Sequence, residues 1–296
     1  MSNKEMLHAM QTELTEYVIS QLHSGKSWSA CWNTANGLPT SIHSQKIYKG
    51  MNLLWLLYTQ QKKEYTSSEW GTFKSWKEKG ASVKKGEKAT NIIFFKPCAK
   101  EDNEGKEQVF FTLKRFSVFN RSQVDGLKEE KSAQENQESF LFDFMNNGLL
   151  MKYIHNSGIS LKVADYLTPS YYPEQDAIRM PSEYTKKAEA WSALAHEIVH
   201  STGHKTRLNR IGITSAKQFL LHEYSYEELI AELGSLFLCT EFGLSTEESQ
   251  KNSSYYCSHW ATHLEHNPEW LWKAAKEASE AVEYIKTIIN QSEKGE

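Results

Sequence analysis

The 296-residue chain has no long apolar run. Its longest unbroken hydrophobic stretch, Leu53 to Tyr58, falls far short of the roughly 20 residues that a membrane-spanning helix needs, so an integral membrane protein is not expected. The opening MSNKEMLHAM sets Lys4 and Glu5 where a signal core would be apolar, so no secretory leader is expected. Cysteine is scarce. Cys31, Cys98, Cys239 and Cys257 are scattered, with no CxxC pair. That argues against a disulfide framework and against a cysteine-based zinc site, and makes a reducing cytoplasm the default location. No GxSxG or Walker-A run is present, so a serine hydrolase of that type and a P-loop engine find no support. No internal repeat recurs at solenoid or propeller spacing.

What remains is the composition of an ordinary soluble globular protein, at a length that suits two domains better than one. The net charge of −3 hides an asymmetry: residues 1–126 sum to +6 and residues 127–296 to −9. Positive charge gathered in one module is what a polyanion binder needs, because neutralising phosphates releases counterions. The natural boundary is Lys128 to Ser139, a polar stretch without aromatic or β-branched residues, which cannot bury enough apolar area to offset its ordering entropy. The expected division is therefore a domain over 1–127, a linker over 128–139 and a second domain over 140–296.

In the first module, Leu7, Met10, Leu14, Val18 and Leu22 recur at helical spacing and predict a helix over Lys4–Leu22 that ends at Gly25. A second helix is expected over Met51–Gln61. A third is expected to start at an N-cap of Ser67 or Ser68 and end at Gly80. Asn91–Lys96 and Gln108–Phe119, rich in Ile, Phe and Val, read as a hairpin joined by the charged stretch Lys100–Lys106. Basic and aromatic residues interleave here: Lys46, Tyr48 and Lys49; Lys74 and Trp76; Lys84, Lys85 and Lys88; then Arg115 and Arg121. Lysine tracks phosphates, and aromatic faces stack on unpaired bases without sequence preference. No recognition helix with base-reading Arg, Asn or Gln is evident. Single-stranded nucleic acid is thus the expected ligand, with Lys84, Lys85 and Lys88 the leading phosphate candidates. Trp55, Trp70, Phe94 and Phe95 are read as core.

The second module carries His196-Glu197-Ile198-Val199-His200. A chain of this composition would show HExxH by chance about 0.04 times, so the match points to chemistry. Lys187–Ser201 is a good helix former without Pro or Gly, and residues four apart share a helix face, so both imidazoles can reach one Zn²⁺ at about 2.0–2.1 Å. Glu197 then stands where it can take a proton from water. A catalytic zinc site wants a third protein ligand, and Glu228 and Glu232 lie four apart on a later helix that runs to about Phe242. One can ligate while the other fixes a ligand histidine's tautomer. This helix resembles the ExxxD-x-G helix of gluzincin metallopeptidases, which implies Glu228 as ligand and Glu232 behind it; the reverse stays open, and Glu227 is the remaining option. His204 is a rival ligand whose direction is uncertain after Gly203. His222, Tyr224 and Tyr226 are weighed as groups that could polarise a carbonyl. Tyr171–Met180 reads as an extended segment, and Pro173 within it and Pro181 just after it favour an edge strand. Two helices, Ser254–Leu264 and Pro268–Asn290, are expected to close the chain.

Across nearly its whole length the chain resembles the ArdC antirestriction family. The resemblance rests on Trp70-Gly-Thr-Phe-Lys74, Val83-Lys-Lys-Gly-Glu-Lys88, Val118-Phe-Asn-Arg-Ser-Gln123, Asp176-Ala-Ile-Arg-Met-Pro181, His196 through His204, Arg207-Leu-Asn-Arg210 and Glu227 to Gly234. It implies an α+β fold of two domains. One is a small α/β domain that binds single-stranded DNA; the other is a mainly helical, gluzincin-like zincin domain with an edge-strand sheet. It also implies a bacterial cytoplasmic protein that protects incoming conjugative plasmid DNA from host restriction, with the host restriction machinery among the candidate protein substrates. Two His and a carboxylate also suit other divalent transition metals. A protein that only masks single strands, with a structural zincin domain, is the alternative reading.

Overall fold

The predicted apolar stripe becomes helix α1, Asn3–His23, with Met10, Leu14, Val18 and Leu22 buried, and the chain turns away at Gly25 in the left-handed region. The computed structural model describes residues 1–26, 28, 31–101, 107–127, 148–184, 187–214, 221–244 and 254–291; the expected linker 128–139 lies outside them. Two units emerge, Met1–Tyr17 with Asn33–Ser132, and Val18–Trp32 with Ala133–Glu296. Trp28 and Trp32 thus belong with the second unit, where the Trp28 ring lies 6.2 Å from that of Trp32 and 6.2 Å from that of Trp260. Among the described residues no helix is long and apolar enough to cross a membrane.

In the first unit, β1 (Thr40–Ser41), α2 (Gly50–Lys62), β2 (Glu69–Thr72), α3 (Phe73–Glu78), β3 (Ser82–Val83), β4 (Thr90–Glu101), β5 (Glu107–Asn120) and β6 (Val124–Asp125) follow in turn. The main sheet has the order β1-β2-β5-β4, parallel only between β1 and β2. Ile92, on one face, packs with Leu56 of α2, Trp70 and Val118. Ile93, on the other, meets Met6 and Met10 of α1.

Three sequence expectations need correction here. The third helix begins later than Ser67 or Ser68. Its N-cap is Thr72, whose hydroxyl accepts from the Ser75 N–H at 3.1 Å, because Glu69–Thr72 are drawn into the sheet between β1 and β5. Gly71 permits that fit, since a Cβ there would fall 2.4 Å from Ile42 Cδ1. Trp76 is no stacking platform: it is buried against Ile42, Ala81 and Val124, and its indole N–H donates to the Phe119 carbonyl at 3.0 Å. Phe94 and Phe95, read as core, are exposed, because the β4–β5 hairpin outruns the helices that cover its base.

Buried Asn52 ties α2 to the hairpin. Its amide donates to the Ile93 carbonyl at 2.8 Å, and its Oδ1 accepts from the Ile93 N–H at 3.1 Å. Both backbone groups face outward at the free edge of β4, and burial would leave them costly without a partner. Asn52→Ala is expected to lower unfolding free energy by about 1–3 kcal/mol, read from urea melts.

The second unit holds α4 (Leu149–Ser157), β7 (Ser160–Val163), β8 (Ser170–Tyr172), β9 (Ala177–Met180), α5 (Lys187–Thr202), α6 (Ile211–Thr214), α7 (Leu221–Glu241), α8 (Ser254–His266) and α9 (Trp270–Gln291). Its sheet has the order β7-β9-β8, with β9 parallel to β7 and antiparallel to β8. The segment expected as one edge strand is therefore two strands: β8 is an edge and β9 is central. The break is the Pro173–Gln175 turn, closed by Asp176 at φ 43°. Helix α7 packs against both α5 and α9.

Candidate functional site

Helix α5 carries His196, Glu197 and His200, and α7 carries Glu227, Glu228 and Glu232. The two helices approach closely because Gly234 faces Val199; a Cβ at position 234 would lie 2.7 Å from Val199 Cγ1. The result is a convergence of donors. Nε2 of His196 is 3.0 Å from Nε2 of His200, and the Glu228 carboxylate lies 3.3 Å from each. Among the described residues this is the trio whose ligand atoms gather, all within 4.8 Å of one another. Two donors bound at about 2.0–2.1 Å to a tetrahedral zinc stand roughly 3.4 Å apart, so this set fits a metal of that size.

The far nitrogens are also engaged. His196 Nδ1 lies 3.9 Å from Glu232, and His200 Nδ1 lies 3.2 Å from Glu227. At 3.2 Å the Glu227 carboxylate is placed to keep a proton on His200 Nδ1 and leave Nε2 free to ligate, whereas Glu232 stands beyond hydrogen-bond reach of His196. Glu227 is in turn gripped by Arg210, whose Nε donates to Oε2 at 2.9 Å and whose Nη2 donates to Oε1 at 2.6 Å. Burial alone would disfavour every charge here. Attraction outweighs it: both imidazoles are held above their ordinary range, His200 well above, while Glu228 is held well below the usual carboxylate range and Glu227 below it. Glu197 is buried, and its charge acts on His200.

The close of α5 explains two of the sequence motifs. Arg210 also donates to the Thr202 hydroxyl at 2.7 Å and the Val199 carbonyl at 2.8 Å, satisfying an end-of-helix acceptor. Arg207 forks onto Asp176 at 2.9 and 2.6 Å and donates to the Ser201 carbonyl at 3.0 Å. Tyr171 donates to the same Asp176 at 2.8 Å. The β8–β9 turn is thereby fastened to the helix that bears the histidines. Burial raises Asp176, but Arg207 and Tyr171 outweigh it and hold the carboxyl below its ordinary value.

His204, the rival ligand, turns its Nδ1 to Thr206, 2.8 Å from the hydroxyl. Tyr226 is half-buried, donating to Glu277 at 2.8 Å and packing on Trp270; the side chains of His222 and Tyr224 lie outside the described residues. The roles of Glu227 and Arg210 escape a reading by helical spacing, because their contact is set by tertiary approach. Tyr184 escapes it as well. Its buried hydroxyl is kept protonated by burial and by the charges of Glu197 and Glu189.

The basic candidates are spread over the first unit. Lys46, Lys49, Lys85 and Lys88 are exposed, and Tyr48 is half-buried against the sheet. Lys84 donates to the Ser122 carbonyl at 2.9 Å and lies 3.9 Å from Asp125. Lys74 lies 3.7 Å from Glu78, and Arg121 lies 3.6 Å from Glu69. Gln123 holds the turn that presents Lys85 and Lys88, donating to Glu87 at 2.8 Å and to the Lys88 carbonyl at 3.0 Å.

Comparison with known proteins follows the same division. Residues 8–119 match the N-terminal domain of anti-restriction factor ArdC, and residues 150–277 match a zincin-like metallopeptidase domain. The chain is similar to the crystal structure of the antirestriction protein ArdC of plasmid R388 in its metal-free form, with TM-score 0.73, 29% identity and 94% and 97% of the two chains covered. For the Mn(II)-bound form the values are 0.71, 28%, 95% and 98%. An uncharacterized protein, y4eC of Sinorhizobium fredii, is 25% identical over 96% of this chain and 93% of its own length. The DNA primase TraC of Escherichia coli is 26% identical over 95% of this chain, which spans only 27% of TraC. The chain thus matches an ArdC N-terminal domain followed by a zincin-like metallopeptidase domain, and it is similar end to end to R388 ArdC.

Proposed function

We propose that the chain is an antirestriction protein whose first unit holds single-stranded DNA and whose second unit is a metal-dependent peptidase. The observation that carries this reading is the gathering of His196, His200 and Glu228 beside buried Glu197. Those three would hold zinc or another divalent transition ion, as the Mn(II) form of the R388 relative supports. A bound ion supplies Lewis acidity that makes water nucleophilic near neutral pH. The chain's own groups do the rest: Glu197 accepts the proton, Glu227 orients His200, Glu232 stands behind His196 as a nearby negative charge, and Arg210 steadies Glu227. The edge strand β8 offers backbone groups to an extended peptide, as in β-augmentation. Holding DNA beside the peptidase would raise its effective concentration toward proteins on the same strand, such as components of host restriction.

One experiment tests both halves. Purified protein is expected to hold about one divalent ion per chain and His200→Ala to lose it, by elemental analysis. The same preparation is expected to bind single strands more tightly than duplex, with affinity falling steeply between two salt concentrations. A full complement of metal in His200→Ala would remove the proposed centre. Weak, salt-insensitive binding would remove the DNA role.

A further inference from the structure

The β4–β5 ribbon carries a surface that neither the metal site nor the basic turn explains. At its base, Ile92 and Ile93 are buried on opposite faces. Further along, four phenylalanines are open: Phe94 is 44% exposed, Phe95 58%, Phe111 64% and Phe116 42%. One exposed apolar side chain needs no explanation, but four phenylalanines on one short ribbon point to a binding surface. Opposed residues of an antiparallel pair share a face. The register Ile92↔Phe116, Phe94↔Lys114 and Lys96↔Thr112 therefore puts Phe94, Phe116, Lys96 and Lys114 on one side, and Phe95, Phe111 and Arg115 on the other. The Phe94 and Phe116 rings meet edge to face with centroids 5.4 Å apart. Residues 90–96 and 111–118 include Lys96, Lys114 and Arg115 and no Asp or Glu.

We propose that the face bearing Phe94, Phe116 and Lys114 is a stacking site for the unpaired bases of single-stranded DNA. This rests on the single-strand reading of the first unit and adds to it a place that is separate from the lysine turn. Aromatic faces recruit bases and a cation beside them recruits phosphate, so the two features together select a polyanion with exposed rings. A duplex, whose bases stack on one another, offers no such rings to a phenylalanine.

The test is fluorescence anisotropy of a labelled oligothymidylate with the full chain at two salt concentrations. Phe94→Ala and Phe116→Ala are each expected to weaken binding roughly 5- to 150-fold without changing the salt slope. Phe94→Leu, which keeps an apolar side chain and guards against misfolding, is expected to weaken it too. Lys114→Ala should weaken binding and lower the salt slope by about 0.7. Phe95→Ala, on the opposite face, should bind as wild type does. If wild type binds and the Phe94→Ala, Phe116→Ala double variant binds equally well, the stacking site is overturned while the single-strand reading stands. If wild type binds no single strand, both fall. Equal losses for duplex, or a changed oligomeric state at unchanged affinity, would also overturn it and reassign the ribbon.

Discussion

Glu197→Gln is expected to lower peptide hydrolysis by about 10²–10⁴-fold while fold and metal content stay as in wild type. The size of the loss follows from its place. The three side chains whose donors converge are His196, His200 and Glu228, so Glu197 is not needed to hold the ion. It is nevertheless buried one residue from His196 and close enough for its charge to act on His200. Glutamine keeps the shape and removes the proton acceptor. Elemental analysis, circular dichroism and cleavage of an unstructured protein chain check the three parts. Retained cleavage would take Glu197 out of the mechanism. The same variant separates the two biological readings in a restriction assay: full protection favours DNA masking alone, and loss of protection favours the peptidase.

Arg210→Met is expected to be the most damaging single change to stability, costing about 3–5 kcal/mol. Methionine fills the volume but leaves Glu227 buried with His200 as its remaining charged partner, where two guanidinium bonds at 2.6 and 2.9 Å had stood. The Thr202 hydroxyl and the Val199 carbonyl lose donors as well. Adding Glu227→Gln removes the stranded charge and should restore much of the stability, as urea melts would show. It should not restore metal affinity, expected to be about 10–100-fold weaker, because His200 then lacks its orienting carboxylate. Full recovery of both in the double variant would mean that Glu227 does nothing for His200.

The helices of both units were legible wherever apolar residues repeat at helical spacing, as at Leu7–Leu22 and Lys187–Ser201. The shared face of His196 and His200 was legible for the same reason, because HExxH fixes it within one helix; Glu228 was preferred to Glu232 only by resemblance to the gluzincin helix, and its approach to the two histidines is set by how the helices pack. What was hidden lies between elements. Nothing local shows that Glu69–Thr72 prefer a sheet to a helix, because strand pairing overrides propensity. Nothing local shows that Arg210 reaches across to Glu227, or that Trp76 is walled in while Phe94 is not. Burial of an aromatic residue depends on whether another element arrives to cover it, and sequence spacing carries no record of that.

A two-stranded ribbon of this kind, apolar on both sides, is a hazard as well as a tool. Open strand edges recruit further strands, and aromatic side chains make such stacks adhesive. Asn52 plugs the edge at the one point where the ribbon leaves the body, by saturating both backbone groups of Ile93. Its loss would strip the partner from two buried groups and loosen the seat of the whole ribbon.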